Sequence, residues 1–250
     1  MQLHLLRNAT LRLHYAGRTL LIDPMLGPVH TFRSLAGREE NPTAPLPLPA
    51  EDAVRGLDGV IVSHLHPDHF DEVAARLLPR DLPLLCRSGD EAFFTGQGFT
   101  QVTPLTGPAD WLGLTVQPTA GQHGTGPILD RMGEVTGFLL SAPDEPTLYW
   151  AGDTILYPPV LDVLRDARPD VVVTHSGGAA LMDTPIIMDA AQTLDVLRAA
   201  PAARVVATHL GALDHCFTTR QDLRAAADAA GIAPERLLIP ADNETLTLTR

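Results

Sequence analysis

Apolar and polar positions along the chain set up a run of short strands before any helix appears. Residues 2–7, 10–15 and 18–23 are strand-like. Leu11, Leu13 and Tyr15 alternate with Arg12 and His14, the period of a strand buried on one face. Ala16-Gly17-Arg18 supplies a tight turn, and Leu20-Leu21-Ile22 runs into Asp23-Pro24, where proline stops the ladder. Asp23 is expected to cap or brace a loop. Periodicity then disappears over residues 25–49, with four prolines between Pro42 and Pro49. Unstructured loops of this length are uncommon inside a domain and are often functional. The segment is either a rigid, proline-braced surface loop or a flap offering Arg33 or Arg38 to an anionic substrate.

Farther along, strands and helices mix. Gly59-Val60-Ile61-Val62 is a continuous apolar run of the kind that forms a buried strand. A helix is predicted over 69–78, ended by Pro79, and another over 90–97, closed by Gly98. Strands are predicted at 82–86, 99–103, 112–118, 134–141, 147–151, 170–174, 203–208, 237–240 and 245–249. Helical patterns cover 157–167, 189–200 and 218–230, the second with Leu194 and Leu197 on one face. The third has Thr218 or Thr219 at its start and Gly231 at its end. No linker or internal repeat is visible, so residues 1–250 are expected to form one α+β domain. Two sheets would pack together, with helices on their outer faces.

Composition narrows the function. With 45% hydrophobic and 19% charged residues the chain is globular in character, and no apolar run reaches membrane-spanning length. The formal net charge of -12 argues against general nucleic-acid binding, which needs a basic surface. A small-molecule substrate is expected, with homo-oligomerisation open. The N-terminal stretch shows neither a basic leader nor a cleavage site, which points to a cytoplasmic location. Cys86 and Cys216 are read as reduced thiols, with Cys216, directly after His215, a minor candidate for oxidation sensitivity.

The chemistry is concentrated in Ser63-His64-Leu65-His66-Pro67-Asp68-His69-Phe70-Asp71. Three of the ten histidines fall in these nine residues, where a buried strand ends. His64 and His66, two apart across a turn, can meet one ion, which leaves Asp68 and His69 to point toward a second. Elsewhere, predicted strands end near His123, Asp153, His175 and His209. A single strand-end histidine is more often a hydrogen-bonded core residue than a ligand. Repetition favours a shared site, and imidazoles with carboxylates suit Zn²⁺ while tolerating Mn²⁺ or Fe.

These residues resemble the metallo-β-lactamase superfamily of αββα metallohydrolases. Its H-x-H-x-D-H signature stands as His64-Leu65-His66-Pro67-Asp68-His69, followed in order by His123, Gly152-Asp153 and His209. Asp23-Pro24, His123-Gly124, Gly177-Gly178 and His209 look more specifically like the L-ascorbate 6-phosphate lactonase branch. The resemblance implies a four-layer αββα sandwich. It also implies two divalent ions, the first held by His64, His66 and His123 and the second by Asp68, His69 and His209, with Asp153 bridging. A hydroxide between the ions would be the nucleophile, and Asp68 would orient it. His175 and His215 are left over as further ligands, substrate contacts or proton donors. His215 is also the alternative to His209 as a ligand.

The expected function is therefore metal-dependent hydrolysis of a small, anionic phosphodiester or lactone. The absence of a Gly-x-Ser-x-Gly nucleophile motif agrees with this. The alternatives are a di-iron redox protein of the same fold and a non-catalytic metal-binding protein.

Overall fold

The computed structural model describes all 250 residues. Its first sheet contains β1 (Gln2–Arg7), β2 (Thr10–Tyr15), β3 (Arg18–Ile22), β4 (Gly59–Val62), β5 (Leu84–Arg87) and β6 (Val102–Leu105). Its second contains β7 (Ala109–Trp111), β8 (Leu114–Ala120), β9 (Thr136–Ser141), β10 (Leu148–Trp150) and β11 (Val171–His175). A small hairpin, β12 (Ala180–Leu181) and β13 (Thr184–Pro185), precedes β14 (Arg204–Thr208) and β15 (Leu237–Leu238) of the second sheet. β16 (Thr245–Thr247) returns to the edge of the first, giving the orders β16-β1-β2-β3-β4-β5-β6 and β15-β14-β11-β10-β9-β8-β7.

The helices are α1 (Ala50–Ala53), α2 (Glu72–Leu77), α3 (Glu91–Gly96), α4 (Pro127–Met132), α5 (Pro158–Ala167), α6 (Ala190–Ala199) and α7 (Arg220–Ala229). Leu11, Leu13, Ile22 and Ile61 of the first sheet meet Val116, Phe138, Trp150 and Val173 of the second in one apolar core. Behind the first sheet, Val60, Val62 and Leu84 pack with Ala74, Phe94 and Phe99 beneath α2 and α3. Behind the second, Tyr149, Val172 and Val205 pack against Val160, Leu194, Leu197 and Leu223 of α5, α6 and α7. These are the four layers expected from the resemblance.

Burial follows strand direction. β4 and β11 are buried at every position, as parallel strands covered on both faces must be. β8 pairs antiparallel with β7 and β9 and alternates buried with exposed positions over Leu114–Gln117. β3 through β6 are parallel neighbours, as are β10, β11, β14 and β15. The C-terminal ends of β10, β11 and β14 therefore share one edge.

Several boundaries differ from the sequence pattern. The helix predicted at 69–78 begins at Glu72, because the Asp71 carboxylate accepts the Ala74 N–H as an N-cap. The last predicted helix begins at Arg220, fixed by a capping box between Thr219 and Asp222. The strand predicted at 99–103 runs instead from Val102 to Leu105, since Phe99 packs against Phe94 beneath α3. α1, β7, α4 and the β12–β13 hairpin were not predicted. Each has at most six residues, too few for a period to emerge.

Candidate metal centre

The edge formed by these strand ends gathers the predicted chemistry. His64 follows β4, Asp153 follows β10, His175 ends β11 and His209 follows β14, while His123 lies beyond β8. All five are buried, as are Asp68, His69 and His215; His66 is half-buried.

Two groups of side chains bring one ligand atom each to within 4.8 Å of one another: His64, His66, His123 and Asp153, and His69, Asp153, His175 and His209. Asp153 belongs to both. His64 Nε2 lies 3.0 Å from His66 Nδ1, so two nitrogens face one point. His69 Nε2 and His123 Nε2 approach Asp153 Oδ2 at 3.2 and 3.3 Å, yet neither nitrogen has a hydrogen-bond partner. Buried imidazole nitrogens converging without bonding are what a bound cation would satisfy, so the residues fit a metal centre.

Asp68 lies at the second group, its Oδ2 3.0 Å from His209 Nε2 and 3.3 Å from His69 Nε2. His175 is not left over. Its Nδ1 sits 2.6 Å from Asp153 Oδ1, a contact the sequence could not show because 22 residues separate them. His215 faces the cavity, with Nδ1 3.4 Å from Asp214 Oδ1.

Four of the inward-facing rings are held from behind. Ser63 Oγ lies 3.1 Å from His64 Nδ1, and the Ile186 carbonyl oxygen 2.6 Å from His123 Nδ1. Asp23 Oδ2 lies 2.9 Å from His69 Nδ1, and Cys216 Sγ 3.5 Å from His209 Nδ1. Asp23 also accepts the Ser63 N–H and hydroxyl, each at 2.7 Å, so the expected brace holds two parts of the site together. Sequence reading gave Ser63, Ile186 and Asn8 no role. Asn8 receives the His209 N–H at its carbonyl oxygen, at 3.0 Å. A backbone carbonyl leaves no signature in residue type.

Local strain accompanies this placement. Asn8, Asp23 and His209 all have positive φ, at 57°, 47° and 61°. Such backbone is uncommon outside glycine and clusters at functional sites. Gly177 is required for another reason, because a Cβ there would overlap the His209 carbonyl oxygen.

The electrostatics separate the rings. Burial holds the His64 pKa well below its usual value, with His69 and His66 adding to the shift, and brings His123 down to about 4. Burial opposes charge on His69 as well, but Asp153, Asp68 and Asp23 around it raise its pKa well above the usual range. Burial also opposes ionisation of Asp153. His69, His209 and His123 outweigh it and keep the carboxyl well below the ordinary carboxylate range.

The cavity between these groups has a volume of about 10 Å³, room for about one water molecule. Leu35, Met132, Ala179, Ile186 and Ile187 form its apolar wall, and no arginine lines it. The 25–49 segment thus reaches the site through Leu35. Arg38 lies over the Phe217 ring at 4.6 Å and donates to the Asp214 carbonyl oxygen. A larger depression of about 850 Å³, bordered by Arg87 and Glu134, contains none of the ligand residues. The smaller cavity is the one lined by His66, Asp68, His123, Asp153, His209 and His215.

Residues 18–210 match the family model described as a beta-lactamase superfamily domain. The UPF0173 protein YddR of Bacillus subtilis is 33% identical, with 99% of this chain and 100% of that protein covered. The crystal structure of isothiocyanate hydrolase from Delia radicum gut bacteria is 36% identical, with a TM-score of 0.94 and complete coverage of both chains. A possible metal-dependent hydrolase from Veillonella parvula is 31% identical, with a TM-score of 0.95 and 99% of each chain covered.

Proposed function

As the chain belongs to the metallo-β-lactamase superfamily and is a metal-dependent hydrolase, we propose that it holds two metal ions, zinc first among them, and hydrolyses a small, neutral, apolar electrophile of the isothiocyanate class. The carrying observation is that Asp153 is common to both ligand groups, beneath a wall of Leu35, Met132, Ile186 and Ile187. In this reading His64, His66 and His123 hold the first ion and Asp68, His69 and His209 the second, with Asp153 shared. The imidazole-rich donor set supports zinc over the carboxylate-rich ligation expected of a di-iron redox site. The wall supports a neutral, apolar substrate, because beyond the metal ions themselves no arginine lines the cavity to hold an anionic group.

Metal ions bound there would supply Lewis acidity and lower the pKa of a bound water. The chain's own residues then orient the reactants and move protons. His175, through its 2.6 Å contact, fixes Asp153, and the Asp68 carboxylate, beside His69 and His209, would accept a hydrogen bond from the attacking water. Burial lowers the His215 pKa, so its ring stands neutral and accepts a proton. With Nδ1 engaged by Asp214, Nε2 is the nitrogen that carries this proton to the departing nitrogen. The balance is one isothiocyanate and one water giving one primary amine and one carbonyl sulfide.

The test is turnover of 2-phenylethyl isothiocyanate by metal-loaded protein, followed by loss of its absorbance and by amine release. Bis-p-nitrophenyl phosphate and simple lactones are run beside it, with Asp153→Ala as the control. Isothiocyanate turnover that the substitution abolishes supports the reading. Turnover of the phosphodiester or a lactone alone refutes this substrate class.

A further inference from the structure

The metal cavity cannot hold a whole substrate. Its volume of about 10 Å³ leaves no space for a substituent on the reacting group. An adjoining groove of about 410 Å³ is lined by six apolar residues, Leu35, Met182 and Phe217 the largest exposed among them, together with Arg38 and Asp183. Leu35 lines both spaces, and Ala179 of the cavity is followed by Ala180 of the groove. Leu181 packs in the same apolar cluster as Ile186 and Ile187 of the cavity wall.

The surface is unusual at this place. The chain exposes five large hydrophobic side chains, and three of them line the groove: Leu35 at 48%, Met182 at 74% and Phe217 at 52%. Scattered exposed apolar residues are ordinary, whereas a cluster beside a reactive centre calls for an occupant. The Arg38 charge is already turned onto the Phe217 ring and the Asp214 carbonyl oxygen. Asp183 makes the groove unfavourable for an anionic tail.

From this continuity we infer that the groove binds the apolar substituent of the substrate, an aryl or alkyl tail, with Leu35 as the partition between tail and reacting group. This rests on the isothiocyanate reading for the head group, but the tail site is defined by its own walls. Met182, unbranched and adaptable, lets the groove accept tails of differing shape. Leu35 must shift for a substrate to span both spaces, and it sits on a loop segment that Asp214 ties down at Ser34, Arg38 and Glu39.

The experiment uses the full-length, metal-loaded protein with ¹³C-methyl methionine and titrates in 2-phenylethanol, a neutral tail that cannot be hydrolysed. A saturable shift of the Met182 methyl, without a shift of Met188, is expected. Phe217→Ser should weaken the binding by about tenfold. In turnover, the ratio of kcat/KM for 2-phenylethyl over methyl isothiocyanate should fall by about tenfold in Phe217→Ser and in Met182→Ser. An unshifted Met182, or an unchanged ratio in both variants, overturns the inference. So does a dimer by light scattering whose dissociation alone exposes Met182, since the groove would then be an interface between copies. A shift of Met182 without any isothiocyanate turnover leaves the tail site standing and refutes the head-group reading.

Discussion

Asp23 and His69, 46 residues apart, are joined by a 2.9 Å contact between the carboxylate Oδ2 and the ring Nδ1, both fully buried. The contact orients the opposite nitrogen, Nε2, toward Asp153 and Asp68. Asp23→Asn keeps the shape but can no longer offer a carboxylate to the ring. Metal affinity should fall by about 10- to 100-fold with the fold retained. Competition against a chromophoric chelator measures the affinity and circular dichroism the fold. Unchanged affinity would show that Asp23 braces Ser63 alone.

Asp153 is the one carboxylate common to both ligand groups. Asp153→Ala should lower kcat/KM by about 10³-fold or more, equivalent to about 4 kcal/mol of transition-state stabilisation. Metal content should fall with it, read by elemental analysis of protein purified without added metal. Wild-type turnover by both Asp153→Ala and His66→Ala would refute the ligand assignment.

Metal removal should destabilise the chain. Without cations, ionised Asp68 and Asp153 and several imidazole nitrogens share a buried space. Dialysis against a chelator should lower Tm, and added Zn²⁺ should restore it in a concentration-dependent way. Calorimetry checks both, and a Tm indifferent to chelator and metal contradicts a bound-metal state.

Asp214 should act as the tether of the Leu35 segment. It accepts the N–H groups of Arg38 and Glu39 at 3.1 and 3.2 Å and a bond from Asn41 Nδ2 at 3.1 Å. Burial opposes its ionisation, but bonds from Ser34, Asn41 and these N–H groups hold its carboxyl well below the usual range. Asp214→Ala should speed hydrogen exchange at Arg38 and Glu39 by about tenfold or more. KM for a long-tailed substrate should change more than kcat. Exchange unchanged at those amides would refute the tether.

Alkali should destabilise the fold through its buried acids. Burial pushes the Cys86 thiol up to about 12, and burial raises the Tyr15 and Tyr149 hydroxyls above their usual values. A folded pKa above the unfolded one makes the native state keep its proton longer. Stability is therefore complete below the unfolded pKa of about 9 and is lost as pH rises toward about 12. The urea midpoint should fall over that window, and less steeply in Cys86→Val.

Much of this was legible in residue order. The first three strands and β4 lie at or within one residue of their predicted bounds, because alternation and continuous apolar runs are local signals. His64, His123, Asp153 and His209, which the structure brings together, could be singled out because each follows a strand, and His66 because it lies two residues from His64. Chain order could not assign His175 or His215, whose meaning depends on what lies across the edge. Nor could it separate the two readings of the 25–49 loop, where Leu35 rather than an arginine reaches the cavity.

Sequence alone thus determined most of the strand pattern, the family and most of the candidate ligands, because periodicity and motif spacing are properties of the chain itself. Tertiary structure decided what stands behind four of the candidate ligands: Asp23 on His69, Ile186 on His123, Cys216 on His209 and His175 on Asp153. It also decided that the walls around the reactive centre are apolar. These contacts join residues from 7 to 63 positions apart. They exist only after two sheets pack and parallel strand ends meet at one edge, an arrangement set by burial over the whole chain.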